Sequence, residues 1–100
     1  MLQKAVAAAE KKGASLKVGN IVSTDVFYDD TQDEWKKWAK MGVLAIEMEA
    51  AALYMNATRA GVNAVCILTI SDSLVSHEAT TSEERQNSLT QMMEIALEIL

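Results

Sequence analysis

The segment Val43–Ala52, VLAIEMEAAA, constrains the fold of this chain more than any other stretch. It begins as an apolar strand and continues, without a polar loop, into an alanine-rich helix. A strand joined directly to a helix is typical of α/β folds that contain parallel sheets. Two carboxylates, Glu47 and Glu49, stand at this junction. Because a buried carboxylate is costly unless it is hydrogen-bonded or paired, the fold has to supply partners for both.

Hydrophobic periodicity predicts seven elements in the order α-β-α-β-α-β-α. The expected helices and strands, in chain order, cover residues 2–12, 16–24, 31–41, 43–48, 49–60, 63–71 and 82–100. The third strand is apolar on both faces, which is typical of an interior parallel strand. We therefore expect an α/β fold with three α/β/α layers and a mainly parallel or mixed sheet. Residues 1–100 are expected to form one partial domain.

Two details of these helices follow from residue type. Asp30 or Thr31 is expected to cap the second helix, because short polar side chains accept hydrogen bonds from the first free N–H groups. The last helix is expected to bury a stripe of apolar residues at helical spacing. That stripe consists of Leu89, Met92, Met93, Ala96, Leu97 and Leu100.

Net charge and cysteine content limit the classes of partner and the compartment. The chain carries a formal net charge of −5, which argues against nucleic acid or an anionic membrane as a main partner. A single cysteine, Cys66, rules out an internal disulfide framework and favours a reducing, cytoplasmic compartment. No apolar run approaches the roughly 20 residues that a membrane span requires. A small neutral or cationic ligand remains open.

Polar side chains gather at one edge of the predicted sheet. In open parallel sheets, ligands bind outside the carboxyl ends of the strands. Arg85, in the first turns of the last helix, follows the third strand after a short loop and would also reach that edge. The residues at the three strand ends are Val22, Ser23, Asp25, Glu47, Met48, Glu49, Ser71 and Asp72. Their convergence predicts a binding site there.

Each of these residues also has a purely structural interpretation. Glu47 would favour the start of the following helix, and this role is as well supported as a functional one. Asp72 after a strand would suit an ordinary turn, and Arg85 among acidic neighbours would suit a solvated surface. His77 and Glu78 lack the spacing of a metal site, so no metal is expected. The glycines are dispersed, so no glycine-rich phosphate loop is present.

Four motifs occur together in a fixed order and spacing. They are VGNIVSTDVFY (Val18–Tyr28), GVLAIEMEAAALY (Gly42–Tyr54), LTISD (Leu68–Asp72) and HEATTSEERQ (His77–Gln86). Together they resemble the C-terminal part of the hexameric, bacterial-type purine nucleoside phosphorylases. The resemblance runs over essentially the whole chain, which is less than half of a family subunit. Uridine phosphorylases and related nucleosidases share the E-M-E segment, whereas S-D followed by E-R-Q points to the purine branch.

The resemblance implies an enzyme, a pentosyltransferase that cleaves a purine ribonucleoside with phosphate to give free base and ribose 1-phosphate. It implies that Glu49 accepts hydrogen bonds from the ribose 2′- and 3′-hydroxyls and that Met48 lines the sugar. A carboxylate suits this task because it is an acceptor that can take two hydroxyl donors. Glu47 and Ile46 would lie near the base. Phosphate would be the co-substrate, and no cofactor is implied.

The resemblance also implies the groups that help the base to leave. Asp72 would be the general acid that protonates purine N7, and Ser71 would flank the base. Arg85 would support proton transfer by approaching Asp72 during turnover, because a permanently close guanidinium would hold the acid in its charged form. Val22 stands where the family often has an aromatic residue, so stacking on the purine is not expected from it.

The family's phosphate-binding loops belong to its N-terminal half, which has no counterpart here. The isolated chain is therefore expected to be inactive or very weak, because phosphate cannot be oriented. The resemblance implies association into a homo-oligomer, a hexamer in the family, or with the missing N-terminal half. Two alternatives stay open. The chain would be an inactive fragment that acts in binding or assembly, or it would belong to a related nucleosidase or uridine phosphorylase.

Overall fold

A computed structural model describes residues 1–26, 30 and 33–100. The chain divides into two compact units, formed by residues 1–16 with 65–100 and by residues 17–64. Within the described ranges, helices and strands follow in the order α1 (Leu2–Lys11), β1 (Ile21–Ser23), α2 (Glu34–Lys40), β2 (Ala45–Glu47), α3 (Ala50–Ala60) and α4 (Ser82–Ile99). Helices and a parallel strand pair alternate in sequence, which confirms the α/β class.

Strands β1 and β2 form a parallel pair in the unit of residues 17–64. The register pairs Ile21 with Ala45 and Ser23 with Glu47. Both strands are shorter than predicted, but they lie within the predicted ranges 16–24 and 43–48. Because the two strands end in register, the side chains of Ser23 and Glu47 lie next to each other at the carboxyl end of the sheet.

The predicted third strand, residues 63–71, is not a strand in this structure. Its residues carry no regular assignment, and the nearest pairing is a single antiparallel bridge between Asp72 and Ala79. The composition was typical of an interior strand, and such a strand needs hydrogen-bonding neighbours on both sides. The described part of the chain does not supply these neighbours, so the apolar run forms no strand ladder.

Helices α1 and α4 pack against each other and form the core of the unit of residues 1–16 and 65–100. Ala8, Ala9 and Ile95 are buried together, with Ala14 and Ile67 packed against them. Alanine on α1 allows the two helix backbones to approach closely. Two exposed ion pairs cross the same contact, Lys11 with Glu98 at 3.8 Å and Lys12 with Glu94 at 3.9 Å.

The buried stripe of α4 differs from the predicted one. Ile95 and Ile99 are buried and Met92 is half-buried, whereas Leu97 is 66% exposed and Met93 is 56% exposed. The helix is apolar on adjoining faces, and the predicted and observed stripes both have helical spacing. Sequence pattern alone does not determine which of these faces meets α1. Ile95 is buried together with Ala8 and Ala9 of α1, whereas Leu97 remains largely exposed.

Helix α3 confirms its predicted range and its C-terminal glycine, whereas helix α2 begins later than predicted. Helix α2 begins at Glu34 after Asp33, so the cap expected at Asp30 or Thr31 was wrong. Residues 31 and 32 of that prediction lie outside the described residues. Helix α3 spans nearly the predicted range and ends at Gly61, which has φ of +69°. Such a left-handed residue favours glycine at a helix C-terminus.

Candidate functional site

The carboxyl ends of β1 and β2 meet the first turn of α3 through the Glu47 side chain. Its Oε2 accepts hydrogen bonds from the backbone N–H groups of Glu49, at 2.7 Å, and Ala50, at 2.6 Å. The first N–H groups of an α-helix have no partner within the helix, so they require an acceptor from outside. Glu47 supplies that acceptor from three residues before the first residue of the helix, Ala50. Its helix-starting role, expected from sequence, is confirmed.

Ser23 extends this network from the neighbouring strand. Its Oγ donates a hydrogen bond to Glu47 Oε1 and accepts one from the Ala51 N–H at 3.0 Å. One hydroxyl therefore links the last residue of β1, the last residue of β2 and the first turn of α3. The sequence placed Ser23 at the strand end but gave it no role. The signal that identifies it is the register, because it is paired directly with Glu47.

These hydrogen bonds determine the charge state of Glu47. The Ser23 hydroxyl is the largest cause that lowers the pKa of the Glu47 carboxyl below its ordinary value, and the N–H groups of Ala50 and Glu49 act in the same direction. Partial desolvation opposes them. Donors that point at a carboxylate stabilise its charged form. Glu47 is accordingly an anion at neutral pH, with its negative charge at the N-terminus of α3, where the helix dipole favours it.

Glu49 has a different environment from Glu47, although only Met48 separates them. It is the N-cap residue of α3, with φ of −123° and ψ of −23°, and its side chain does not cap the helix. Across the described residues, its carboxylate makes no hydrogen bond and no ion pair, and the residue is exposed. Two acceptor oxygens are therefore available to a ligand. Met48 and Ile46 beside it are 40% and 41% exposed, and Val22 is half-buried.

Asp72 lies in the other unit, at the start of a loop closed by hydrogen bonds. The Thr80 N–H and Thr80 Oγ1 both donate to the Ser71 carbonyl at 2.9 Å, and the Ser73 N–H donates to the Glu78 carbonyl at 2.8 Å. The Ser71 hydroxyl donates to Asp72 Oδ2 at 3.2 Å. This arrangement holds the backbone of Asp72 while its side chain remains exposed. The carboxyl keeps acceptor capacity for an external group.

Arg85 is in the first turns of α4, shortly after this loop. The side chain of Thr81 caps the helix by accepting from the Glu84 N–H at 3.1 Å. The Arg85 guanidinium is exposed and makes only a long contact, Nη2 to Ser82 Oγ at 3.5 Å. No ion pair joins it to Asp72 in the described residues, so each group is free to meet a ligand.

The predicted site residues thus fall into two sets. Val22, Ile46, Glu47, Met48 and Glu49 lie together in residues 17–64. Ser71, Asp72 and Arg85 lie together in the unit that contains α4. The first set lies on β1, β2 and the residues that lead into α3, and the second lies on either side of the loop that precedes α4.

Metal sites and membrane-spanning helices are absent from the part of the chain that the structure describes. Among the described residues, no group of three or more His, Cys, Asp or Glu side chains is arranged to hold a metal ion. The same residues contain no helix that is long and apolar enough to cross a membrane.

Comparisons with known proteins show sequence similarity over nearly the whole chain. Relatives described as purine nucleoside phosphorylase DeoD-type include proteins from Thermoanaerobacter sp. (strain X514), 57% identical over 99 residues, and Clostridium perfringens (strain SM101 / Type A), 55% identical over 98 residues. A third, from Clostridium beijerinckii, is 53% identical over 100 residues. These matches cover 98–100% of this chain and 42% of each relative.

The chain thus spans less than half the length of the curated relatives it matches. A family model described as the phosphorylase superfamily matches residues 1–100. Since this match includes both units and every predicted site residue, the chain belongs to the phosphorylase superfamily.

Proposed function

We propose that this chain supplies the nucleoside-binding part of a purine nucleoside phosphorylase. The reaction would transfer the ribosyl group of a purine nucleoside to phosphate, releasing the free base and ribose 1-phosphate. The observation that carries this proposal is the match of nearly the whole chain to relatives named as purine nucleoside phosphorylases, at 53–57% identity. The two exposed carboxylates, Glu49 and Asp72, support it because the reaction needs one group for the sugar and one for the base.

Glu49 is the proposed ribose-binding residue. Its carboxylate is exposed at the start of α3 and is not used by the fold. The 2′- and 3′-hydroxyls of ribose are two adjacent donors, and a carboxylate accepts from both. Met48 and Ile46, both partly exposed, would supply apolar contact beside the sugar and base. Val22 would lie near the base.

Asp72 is the proposed general acid, which would protonate N7 of the departing purine. The transition state has oxocarbenium character at the sugar, so the base leaves more easily when it receives a proton. Ser71 would flank the base, and its hydroxyl already orients Asp72. Arg85 would approach Asp72 in the substrate complex and stabilise the carboxylate that forms after transfer. Arg85 forms no ion pair with Asp72 in the described residues, so this approach would require its side chain to move.

Phosphate binding and assembly are proposed to depend on the part of the subunit that the relatives contain and this chain does not match. Several large apolar side chains are exposed, notably Met55 at 72%, Leu97 at 66% and Ile70 at 58%. Exposed apolar surface of this extent is typical of a protein that buries it against further chain or another subunit. We propose a cytoplasmic homo-oligomer with three-layer α/β/α subunits, in which residues 63–71 become an interior strand. The isolated chain would have little or no activity.

The test is a chimera in which these 100 residues replace the matching segment of the Thermoanaerobacter relative. We expect it to cleave inosine or adenosine only when phosphate is present. Glu49→Gln is expected to raise KM for the nucleoside, and Asp72→Asn to lower kcat by at least about a hundredfold, the usual range for a lost acid. Arg85→Ala is expected to lower kcat as well.

Glu83→Gln is the matched control, because it changes a carboxylate in the first turn of α4 that has no proposed role. It is expected to retain activity. Phosphate-independent cleavage would favour a nucleosidase instead. Binding of nucleoside without turnover in the chimera would favour a binding or assembly role for this part of the chain.

A further inference from the structure

We propose that Ser23 and Glu47 form a positioning pair, which fixes the first turn of α3 and thereby aims the Glu49 carboxylate at the ribose. This inference deepens the proposed function and rests on the ribose role of Glu49. It assigns Glu47 to a different task from contact with the base, and it gives Ser23 a task where the sequence assigned none.

The side chain of Glu47 is already engaged by hydrogen bonds within the protein. Both of its oxygens have donors from the protein, Oε1 from the Ser23 hydroxyl and Oε2 from the N–H groups of Glu49 and Ala50. A purine that took over this carboxylate would leave those N–H groups without an acceptor, and an unmade hydrogen bond is costly. Glu47 is therefore better suited to hold the protein than to hold the base.

Ser23 joins the two strands to the helix. Its hydroxyl donates to Glu47 and accepts from the Ala51 N–H, so it uses its one proton and a lone pair at the same time. The N–H groups of three consecutive residues, 49 to 51, are thereby held by two side chains from the strand ends. This is more than a single capping residue provides, because a cap commonly satisfies one of the free donors.

The same hydrogen-bond network includes the backbone of Glu49. The Glu49 N–H is bound to Glu47 Oε2, and the Glu49 carbonyl accepts from the Leu53 N–H at 3.0 Å, so its backbone is fixed on both sides. Its side chain makes no hydrogen bond or ion pair in the described residues. The backbone therefore fixes the point from which the Glu49 carboxylate can reach a ligand, and Ser23 and Glu47 hold that backbone.

The test uses the chimera and two readouts. Hydrogen exchange followed by mass spectrometry reports on the amides of residues 49–51. The ratio of kcat/KM for a ribonucleoside to that for its 2′-deoxyribonucleoside reports on how well Glu49 meets the 2′-hydroxyl. Ser23→Ala and Glu47→Gln are each expected to speed exchange by about five- to tenfold, as for a lost hydrogen bond, and to lower the ratio several-fold. Ser23→Thr keeps the hydroxyl and is expected to restore both.

A Glu49→Ala background provides the matched control. There the ratio is already low, and adding Ser23→Ala is expected to lower it no further, because the pair acts through Glu49. Faster exchange with an unchanged ratio would overturn the proposal and leave only a structural cap. Unchanged exchange would overturn it as well. Absence of nucleoside cleavage by the unmutated chimera would overturn the ribose role and the proposed function, while the exchange rates would still decide whether the pair holds α3.

Discussion

Replacement of Ile95 by alanine tests the packing of α1 against α4. Ile95 is 5% exposed, whereas Ala8 and Ala9 opposite it are 7% and 0% exposed. It is the only large side chain among the three residues that are buried together in this core. Truncation would therefore remove most of the side-chain volume at the centre of the contact. Ile67 packs against this cluster and has the size to fill part of the space.

The expected loss follows from this geometry. Truncation of a buried isoleucine to alanine costs about 2–5 kcal/mol, and the cost is larger where neighbours cannot collapse into the cavity. Alanines have no side-chain freedom with which to collapse, so we expect about 3 kcal/mol. A domain of this size has a total stability of about 5–15 kcal/mol. At about 4–8 °C per kcal/mol, the midpoint of thermal unfolding is expected to fall by about 12–24 °C.

The assay is thermal and urea unfolding followed by far-ultraviolet circular dichroism, with Leu97→Ala as the matched control on the same helix. Leu97 belongs to the stripe predicted from sequence but is 66% exposed, so its truncation is expected to cost less than about 0.5 kcal/mol. A Leu97→Ala loss equal to or larger than the Ile95→Ala loss would refute the packing described for α4.

Two further predictions concern single hydrogen-bonded side chains. Thr81→Ala removes the cap of α4 and is expected to cost about 1 kcal/mol of unfolding free energy. The control is Thr90→Ala, which removes a mid-helix hydroxyl that donates to the Gln86 carbonyl at 3.0 Å and should change the unfolding free energy far less. Equal losses in the two variants would contradict the capping role of Thr81. The hydrogen bonds that lower the pKa of Glu47 stabilise the folded chain only while the Glu47 carboxyl is charged. This contribution to stability is fully present above the ordinary pKa of 4.5. It is lost as pH falls below that value and through the lower pKa of the folded state. Glu47→Gln should therefore reduce the loss of stability as pH falls below 4.5, and an unchanged pH profile would contradict the hydrogen bonds of Glu47.

The βα junction at Glu47 was predictable because its signals are local. An apolar strand, an alanine-rich helix and a C-terminal glycine each act within a few residues, and β2 and α3 form where expected. The different roles of the Glu47 and Glu49 carboxylates were only partly predictable. Sequence showed that Glu47 could start the helix, but the Ser23 contact depends on the register of two strands that are 24 residues apart.

Residues 63–71 and the face of α4 show why other predictions failed. Their apolar patterns identify surfaces that become buried, but not the partner that covers them. For α4 the choice between the isoleucine and leucine faces depends on the alanines of α1. For residues 63–71 the neighbours of an interior strand are missing from the described part of the chain. Long-range pairing, rather than local propensity, decides both cases.

Identification of the sugar product tests the proposed function most directly. Phosphorus-31 spectroscopy of the chimera incubated with inosine and phosphate would follow the fate of the phosphate. We expect a sugar phosphate, ribose 1-phosphate, to appear in step with free hypoxanthine, and neither product to form when phosphate is omitted. Free ribose produced at the same rate with and without phosphate would contradict the assignment of this chain to a phosphorolytic enzyme.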